Sequence, residues 1–299
     1  MSRSVTARAP AKVNLQLAVG GARPDEFHDL ASIFLAVSLY DEVTATPAEA
    51  LRITAGGPDT GRIPLGRTNL AAQAAQLLAA RYGIAPDVHL HLAKDIPVAG
   101  GMAGGSADAA AALVACDALW RTGASPYELL NICAALGSDV PFSLVGGAAL
   151  GRGRGELLTP LEAGGTFHWV LAVADGELST PAVYREFDRL NEGVSLPEPS
   201  ASAALLDALR AGNAAALAAA LSNDLQPAAL SLRPSLAATL DVGTAAGALA
   251  ALVSGSGPTT AFLTTDAETA GAVAETLLTS KTCRTARTAI GPVAGTAVT

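Results

Sequence analysis

Four glycines within six residues could bring backbone N–H groups close to an anionic ligand. They belong to a glycine loop, residues 97–107, and are Gly100, Gly101, Gly104 and Gly105. Ser106 and Asp108 stand where a helix would begin, and the alanines at 109–112 favour its continuation. Free N–H groups and the positive dipole end at a helix start bind anions. The pattern predicts a phosphate cradle, with a tight strand–helix connection as the alternative.

The glycine loop differs from the two common phosphate-binding signatures. Ser106 and Ala107 stand where the Walker A motif requires Lys followed by Ser or Thr. No G-x-G-x-x-G sequence follows a strand, so a dinucleotide site is not indicated either. The loop alone therefore does not decide between a phosphate cradle and a simple connection.

Phosphoryl transfer also needs a cation and a group that orients or deprotonates the acceptor hydroxyl. Lys12 lies on the polar face of an alternating strand with Asn14 two residues on, so it could supply the cation. Asp139 follows a helix that begins with a capping box at 125–128, and Pro141 restricts its turn. Taken singly, Lys12 would be a solvated surface residue and Asp139 an Asx-turn residue.

Two other chemistries have weaker support. His89 and His91 share one side of a strand, but no H-E-x-x-H motif or cysteine pair accompanies them, so zinc is not predicted. No G-x-S-x-G sequence surrounds a serine. A Ser–His–Asp triad assembled from distant residues stays open, although no feature selects it.

The composition indicates a globular protein with small side chains. Of 299 residues, 50% are hydrophobic but only 4% are aromatic, and the formal net charge is −8. That charge disfavours a nucleic-acid or anionic-membrane binder, and no apolar stretch has the length of a bilayer span. The three scattered cysteines and the absence of a leader pattern indicate a reduced, cytoplasmic protein.

Hydrophobic periodicity predicts a mixture of strands and helices without strict alternation, which favours an α+β fold. Predicted strands cover 6–19, 88–92, 168–174 and 260–263, and predicted helices cover 69–82, 125–136, 203–209, 214–222 and 267–278. A glycine-rich connection at 146–155 and Pro160 mark a change of composition. The sequence therefore predicts two domains, 1–157 and 158–299.

Three ordered segments, 9–15, 97–110 and 253–258, resemble the motifs of the galactokinase–homoserine kinase–mevalonate kinase superfamily. Three more, 23–28, 137–142 and 223–227, resemble the branch that phosphorylates a cytidyl diphosphate substrate on a non-mevalonate route to isoprenoid precursors. The resemblance spans nearly the whole chain, from about residue 9 to 263.

The resemblance implies a two-domain small-molecule kinase fold and a set of site residues. The N-terminal domain would be like part of a ribosomal protein and the C-terminal domain ferredoxin-like, with ATP and Mg²⁺ as cofactors. Lys12 and Asp139 would form the catalytic pair, and Asn69 and Lys94 would lie near the adenine. The ATP phosphates would lie on Pro97, Val98, Ala99, Gly100, Gly101, Met102, Ala103, Gly104, Gly105, Ser106 and Ala107, with Ser106 nearest the metal. Asn14, Phe27, His28 and Tyr184 would bind the substrate, whose C2 hydroxyl would accept the phosphoryl group.

Several positions depart from the pattern of the superfamily. Ala99 and Ala103 replace glycines, so each requires a negative φ or a small strain. Asp108 replaces a frequent asparagine, and its carboxylate should turn away from ATP because like charges repel.

Two alternative functions stay open. One is another kinase of the superfamily, acting on homoserine, mevalonate or a sugar. The other is a catalytically silent, nucleotide-binding regulatory protein. The expected partner is the small-molecule substrate, without nucleic acid, membrane or a protein partner.

Overall fold

The computed structural model describes residues 4–25, 27–58, 60–98 and 100–299, and their strands form two separate sheets. The first sheet contains β1 (Val5–Ala22), β2 (His28–Pro47), β3 (Arg52–Gly56), β4 (Val88–Ala93), β5 (Ala148–Arg152), β6 (Leu157–Leu161), β8 (Ser222–Asn223) and β12 (Ala297–Val298). The second contains β7 (Phe167–Val173), β9 (Ala250–Val253), β10 (Thr259–Thr264) and β11 (Thr285–Gly291). The helices are α1 (Leu70–Tyr82), α2 (Gly104–Trp120), α3 (Pro126–Leu136), α4 (Val140–Val145), α5 (Thr180–Leu190), α6 (Ala203–Ala211), α7 (Ala214–Ala220), α8 (Gln226–Leu232), α9 (Ser235–Ala245) and α10 (Ala267–Ser280), with a 3₁₀ turn at Thr60–Arg62.

The long antiparallel pair β1 and β2 is central to the first sheet, whose main order is β12-β1-β2-β4-β3. Side chains alternate along β1, so Val13 and Leu15 enter the apolar core while Lys12 and Asn14 face the other way. Lys12 and Asn14 are nevertheless buried, because a loop of the second half of the chain, at Gly255, lies against them. Polar side chains are therefore enclosed at the junction of the two halves.

Helix α2 packs against β1, β2 and α1. The alanines at 109–112 are fully buried, and their small side chains let the helix approach the sheet closely. The start of α2 is thereby fixed relative to β1, which carries Lys12.

The second sheet is antiparallel, in the order β11-β7-β10-β9, and α9 and α10 pack on it. It meets the first half through specific contacts. Both guanidinium Nη atoms of Arg287 on β11 donate to the carboxylate of Asp95, at 2.8 and 2.7 Å, and Ile290 N donates to Ser38 Oγ at 2.9 Å. In the described part of the chain, no helix is both long and apolar enough to cross a membrane.

The α+β prediction is confirmed, as are several element boundaries. Asn69 caps α1, whose C-terminal residue is followed by Gly83 in the left-handed conformation, and the capping box at Ser125 and Glu128 starts α3 as predicted. The helix predicted over 214–222 was too long, because Ser222 and Asn223 pair with β1 instead. The boundary between 157 and 158 stays a prediction; β6, which begins at Leu157, pairs with β5 in the first sheet.

The predicted start of α2 was also wrong. The helix begins at Gly104, before Ser106, and its N-cap is Ala103, which makes no side-chain capping bond. Ser106 therefore lies within the first turn, and Asp108 lies a turn inside the helix.

Candidate active site

Lys12 and Asp139, predicted as a pair from distant parts of the sequence, lie together. The distance from Lys12 Nζ to Asp139 Oδ2 is 3.7 Å. Lys12 is 5% exposed, whereas the Asp139 side chain is 33% exposed. Asp139 immediately precedes α4 and makes no side-chain capping bond with it. Its carboxylate is therefore available to a ligand on the open side of the pair.

A chain of hydrogen bonds fixes the Lys12 ammonium. Lys12 Nζ donates to Asn14 Oδ1 at 2.7 Å, and Asn14 Nδ2 donates to Ser32 Oγ at 2.7 Å. Ser32 Oγ in turn donates to the Gln16 carbonyl at 3.3 Å, and the Phe34 ring centroid is 5.8 Å from Lys12 Nζ. Asn14 thus positions Lys12, and its predicted contact with substrate stays a prediction.

The turn that connects β9 to β10 closes over this pair. Gly255 has φ +58, and a Cβ built there would lie 3.3 Å from both Lys12 Nζ and Asn14 Oδ1. Asn223 Nδ2 holds the turn by donating to the carbonyls of Val253 and Gly255, at 2.8 and 2.7 Å. A side chain at 255 would be strained by the positive φ and would crowd the Lys12 ammonium and Asn14, so glycine is favoured there.

The glycine loop lies against both of these elements. Lys12 N donates to the Met102 carbonyl at 3.4 Å, and Ser254 Oγ donates to the Gly101 carbonyl at 3.3 Å. A Cβ at Gly101, where φ is +74, would lie 2.6 Å from the Ser254 carbonyl oxygen. The loop therefore places the N-terminus of α2, with its free N–H groups, next to Lys12 and Asp139.

The two alanines that replace loop glycines have different outcomes. Ala103 has φ +60, so its backbone takes the strained left-handed conformation rather than a negative φ. The left-handed conformation costs a residue with a Cβ about 1 kcal/mol. Ala99 was predicted to bind ATP and lies outside the described residues.

The side chains of the two residues predicted near the adenine already make hydrogen bonds within the protein. Asn69 Oδ1 accepts from Ala71 N at 2.8 Å, and Asn69 Nδ2 donates to the Pro64 carbonyl at 2.8 Å. Lys94 is 6% exposed and donates to Asp41, to Asp108 Oδ2 at 2.6 Å and to the Gly104 carbonyl at 3.2 Å. ATP contacts of Asn69 and Lys94 stay predictions.

Asp108 turns away from the glycine loop into this buried cluster, as its charge led us to expect. Burial raises the pKa of Asp108 to about 7, although Lys94 acts to lower it, and the neighbouring Asp41 raises it further. Burial likewise raises the pKa of Asp41. One ammonium thus faces two carboxylates, and Asp108 Oδ1 has no hydrogen-bond partner among the described atoms.

Because the pKa of Asp108 is raised, we predict that the stability of Asp108→Asn relative to the parent increases as the pH rises. Folded Asp108 keeps its proton up to about pH 7, whereas the unfolded chain releases it near the ordinary value of 3.8. Between these values the folded state binds more protons, so its stability falls with rising pH. We expect the free energy of unfolding of the variant, relative to the parent, to increase by about 2 kcal/mol between about pH 5 and about pH 8.

Denaturant titrations at several pH values measure this difference. Asp241→Asn, at an exposed position of α9, is the matched control, and its difference should stay constant. A pH-independent difference for Asp108→Asn would contradict the prediction.

Two of the residues predicted to bind the substrate, His28 and Tyr184, form an aromatic group in which the Phe187 ring also contacts His28. His28, at the start of β2, and Tyr184, on α5, have ring centroids 5.0 Å apart, while Phe27 is 48% exposed. Burial raises the pKa of Tyr184, and the negative charge of Asp139 raises it further. Tyr184 therefore lies within the electrostatic reach of Asp139.

Asp188 supports His28 and was not predicted. The distance from His28 Nε2 to Asp188 Oδ1 is 2.8 Å, and an ionised carboxylate only accepts, so Nε2 carries the proton. This contact leaves His28 Nδ1 for a ligand. The signal was present in the sequence, since Asp188 follows Tyr184 by four residues and shares its helix face.

Comparisons with known proteins agree with this geometry. The profile described as "GHMP kinases N terminal domain" matches residues 69–147, and "GHMP kinases C terminal" matches residues 205–281. The 4-diphosphocytidyl-2-C-methyl-D-erythritol kinase of Streptomyces avermitilis is 76% identical over 295 residues, which cover 99% of each chain. A crystal structure of 4-(cytidine 5'-diphospho)-2C-methyl-D-erythritol kinase matches with a TM-score of 0.77 and 33% identity, over 98% of this chain and 100% of that one.

A homoserine kinase from Cytophaga hutchinsonii matches with the same TM-score of 0.77, at 20% identity, over 100% of this chain and 98% of that one. At that identity the likeness shows the fold alone. The fold and the site define a small-molecule kinase, and this chain belongs to the GHMP kinases. It is an ATP-dependent enzyme with the two-domain α+β architecture of that family.

Proposed function

We propose that this chain transfers the γ-phosphoryl group of ATP to the C2 hydroxyl of 4-diphosphocytidyl-2-C-methyl-D-erythritol, in isoprenoid precursor biosynthesis. The observation that carries the proposal is the Lys12–Asp139 pair, which lies beside both the glycine loop and the aromatic group of His28 and Tyr184. A relative of nearly the same length, 76% identical and named for this kinase, supports it. The cytoplasm is the proposed location.

In the proposed mechanism, Asp139 and Lys12 act on the acceptor oxygen from two sides. Asp139 orients the hydroxyl and accepts its proton as the bond from oxygen to the γ-phosphorus forms. The bond from the γ-phosphorus to the bridging oxygen breaks, and ADP leaves with that electron pair. Lys12 stabilises negative charge on the acceptor oxygen and the transferred group, and its hydrogen bond to Asn14 fixes it there in advance.

The ATP phosphates would lie along the glycine loop, where the N–H groups at the start of α2 face an anion. Mg²⁺ takes oxygen ligands and is usually held by only one or two protein groups beside the phosphates. Ser106, half-buried in the first turn of α2, fits this because its hydroxyl makes no hydrogen bond within the described residues. Ser106 would hold the ion directly or through water, and the ion would neutralise charge on the β- and γ-phosphates.

The cytosine of the substrate would be recognised by Phe27, His28 and Tyr184. The Arg154 guanidinium lies over the Phe27 ring, 5.0 Å from its centroid, and the other face of this half-exposed ring would offer a stacking surface. The ring centroids of His28 and Tyr184 are 5.0 Å apart, so the rings would have to separate for a base to insert between them. With Nε2 held by Asp188, His28 Nδ1 can accept a hydrogen bond from the cytosine amino group.

Two alternative functions are less well supported. Homoserine, mevalonate and sugars carry no base, so they would leave the aromatic group without a role. A catalytically silent regulatory protein does not need a lysine and an aspartate held 3.7 Å apart beside the glycine loop.

The deciding experiment is an ADP-release assay with the cytidyl substrate, homoserine, mevalonate and galactose. We expect turnover with the cytidyl substrate alone. In the same assay His28→Ala should raise KM for that substrate about tenfold, because a buried hydrogen bond and a ring contact are lost, while KM for ATP changes little.

His91→Ala, which removes an exposed histidine of β4, is the control and should leave both constants unchanged. Turnover of homoserine, mevalonate or galactose in place of the cytidyl substrate would refute the proposed acceptor.

A further inference from the structure

Asp41, on β2, is a fully buried carboxylate that holds the chain where it leaves β4. Its Oδ1 accepts from the backbone N–H groups of Asp95 and Ile96, at 2.8 and 2.9 Å, and its Oδ2 accepts from Lys94. The residues just before the glycine loop are therefore hydrogen-bonded to the first sheet through the Asp41 side chain.

Lys94 extends this connection to the other end of the glycine loop. Its ammonium has three N–H donors, and they match three acceptors: Asp41, Asp108 Oδ2 and the Gly104 carbonyl. Gly104 and Asp108 belong to the first turns of α2. One lysine thus ties the residues that enter the glycine loop to those that leave it.

The charge of this cluster is also informative. One ammonium faces two carboxyl groups, so the net charge of the cluster is zero when Asp108 is protonated and −1 when it is ionised, and neither state attracts phosphate. Lys12 and Lys94 are two of only three lysines in the chain, and both are buried. Lys12 faces the open carboxylate of Asp139, whereas Lys94 has no donor left for a ligand.

We infer that Asp41, Lys94 and Asp108 form a clamp that sets the conformation of the glycine loop before ATP binds. Lys94 and Asp41 are then positioning residues whose side chains act on ATP through the loop, and the Lys94 ammonium makes no direct contact with the nucleotide. The inference rests on the proposed function only in placing the ATP phosphates on the glycine loop. It does not depend on the identity of the acceptor.

Asp41→Asn is the primary test. The new amide can still accept from Asp95 and Ile96 through its oxygen, but its NH₂ group faces the Lys94 ammonium, donor against donor. We expect ATP affinity, measured by calorimetry with a non-hydrolysable ATP analogue and no acceptor, to fall about tenfold because the loop is no longer preorganised. At saturating ATP, kcat and KM for the acceptor should change by less than about threefold.

Glu42→Gln is the matched control, since it removes a carboxylate from the next, exposed position of the same strand. It should leave ATP affinity unchanged. An unaltered ATP affinity in a folded Asp41→Asn variant would overturn the inference. Because calorimetry omits the acceptor, this result is independent of the outcome of the substrate assay.

A double-variant cycle separates action through the loop from direct contact. If Lys94 acts through the clamp, Asp41→Asn combined with Lys94→Met should bind ATP no more weakly than Lys94→Met alone. If Lys94 touched the nucleotide, Asp41→Asn would release its ammonium toward ATP, and affinity would hold or rise. That outcome, or additive losses, would overturn the inference.

Hydrogen exchange of the unaltered protein gives a test that does not depend on variants folding. The amides of Asp95 and Ile96 should be protected without nucleotide, because their acceptor is a buried carboxylate. Exchange as fast as that of exposed loop amides until nucleotide binds would show that no clamp exists beforehand.

Discussion

Asp139→Asn should lower kcat by about a hundredfold or more while ATP affinity stays near that of the parent. The amide matches the carboxylate in size but cannot take the acceptor proton, and it presents no charge to Lys12. Asp139 makes no side-chain bond with α4, so its replacement leaves the helix start intact. The loss should therefore fall on the chemical step.

Single-turnover kinetics and calorimetry with an ATP analogue separate these two effects. Asp241→Asn, at an exposed position of α9, makes the same chemical change away from the site and should have normal kinetics. Near-normal turnover of Asp139→Asn would remove Asp139 from the mechanism. An equal loss of ATP affinity would assign it to nucleotide binding instead.

Lys12→Met should lower kcat by about two to three orders of magnitude. Methionine keeps the length and the packing near Phe34 but removes the positive charge beside Asp139. The negative charge that develops on the acceptor oxygen then has no fixed cation in a buried site, where electrostatic interactions are strong. Asn14 also loses its donor, although it keeps the bond to Ser32.

The same kinetic experiments measure this loss, and Lys281→Met serves as the control because Lys281 is exposed just beyond α10. An activity within about threefold of the parent would show that Lys12 is not the charge-stabilising group. The two catalytic variants should also be non-additive, since they remove two halves of one interaction.

Much of the framework could be predicted from local signals in the sequence. The helix over 69–82, the capping box at Ser125 and the alternation along β1 each depend on a few neighbouring residues, and the structure confirms them. The spatial pairing of Lys12 and Asp139 needed the resemblance to a known family, because 127 positions separate the two residues in the sequence.

The groups that hold the site in place were not predictable in the same way. Asp41 is followed directly by a second acidic residue, Glu42, and only the fold shows that Asp41 is the one that meets Lys94 and the amides of Asp95 and Ile96. The start of α2 at Gly104 depends on Ala103 adopting a positive φ, which the propensity of alanine disfavours. In both places tertiary contacts outweigh local preference.

The aromatic group and the Lys12–Asp139 pair are held by different parts of the fold. Lys12 lies on β1 and Asp139 directly before α4, which packs against β1, so their spacing is set by elements of the first half of the chain. His28 comes from β2 but Tyr184 and Asp188 come from α5, on the other side of the junction. A shift of one half of the chain relative to the other would therefore disturb the contacts of His28 with Tyr184 and Asp188 before it changed the spacing of Lys12 and Asp139. Substitutions between the two halves of the chain should accordingly impair acceptor selectivity more than they impair catalysis.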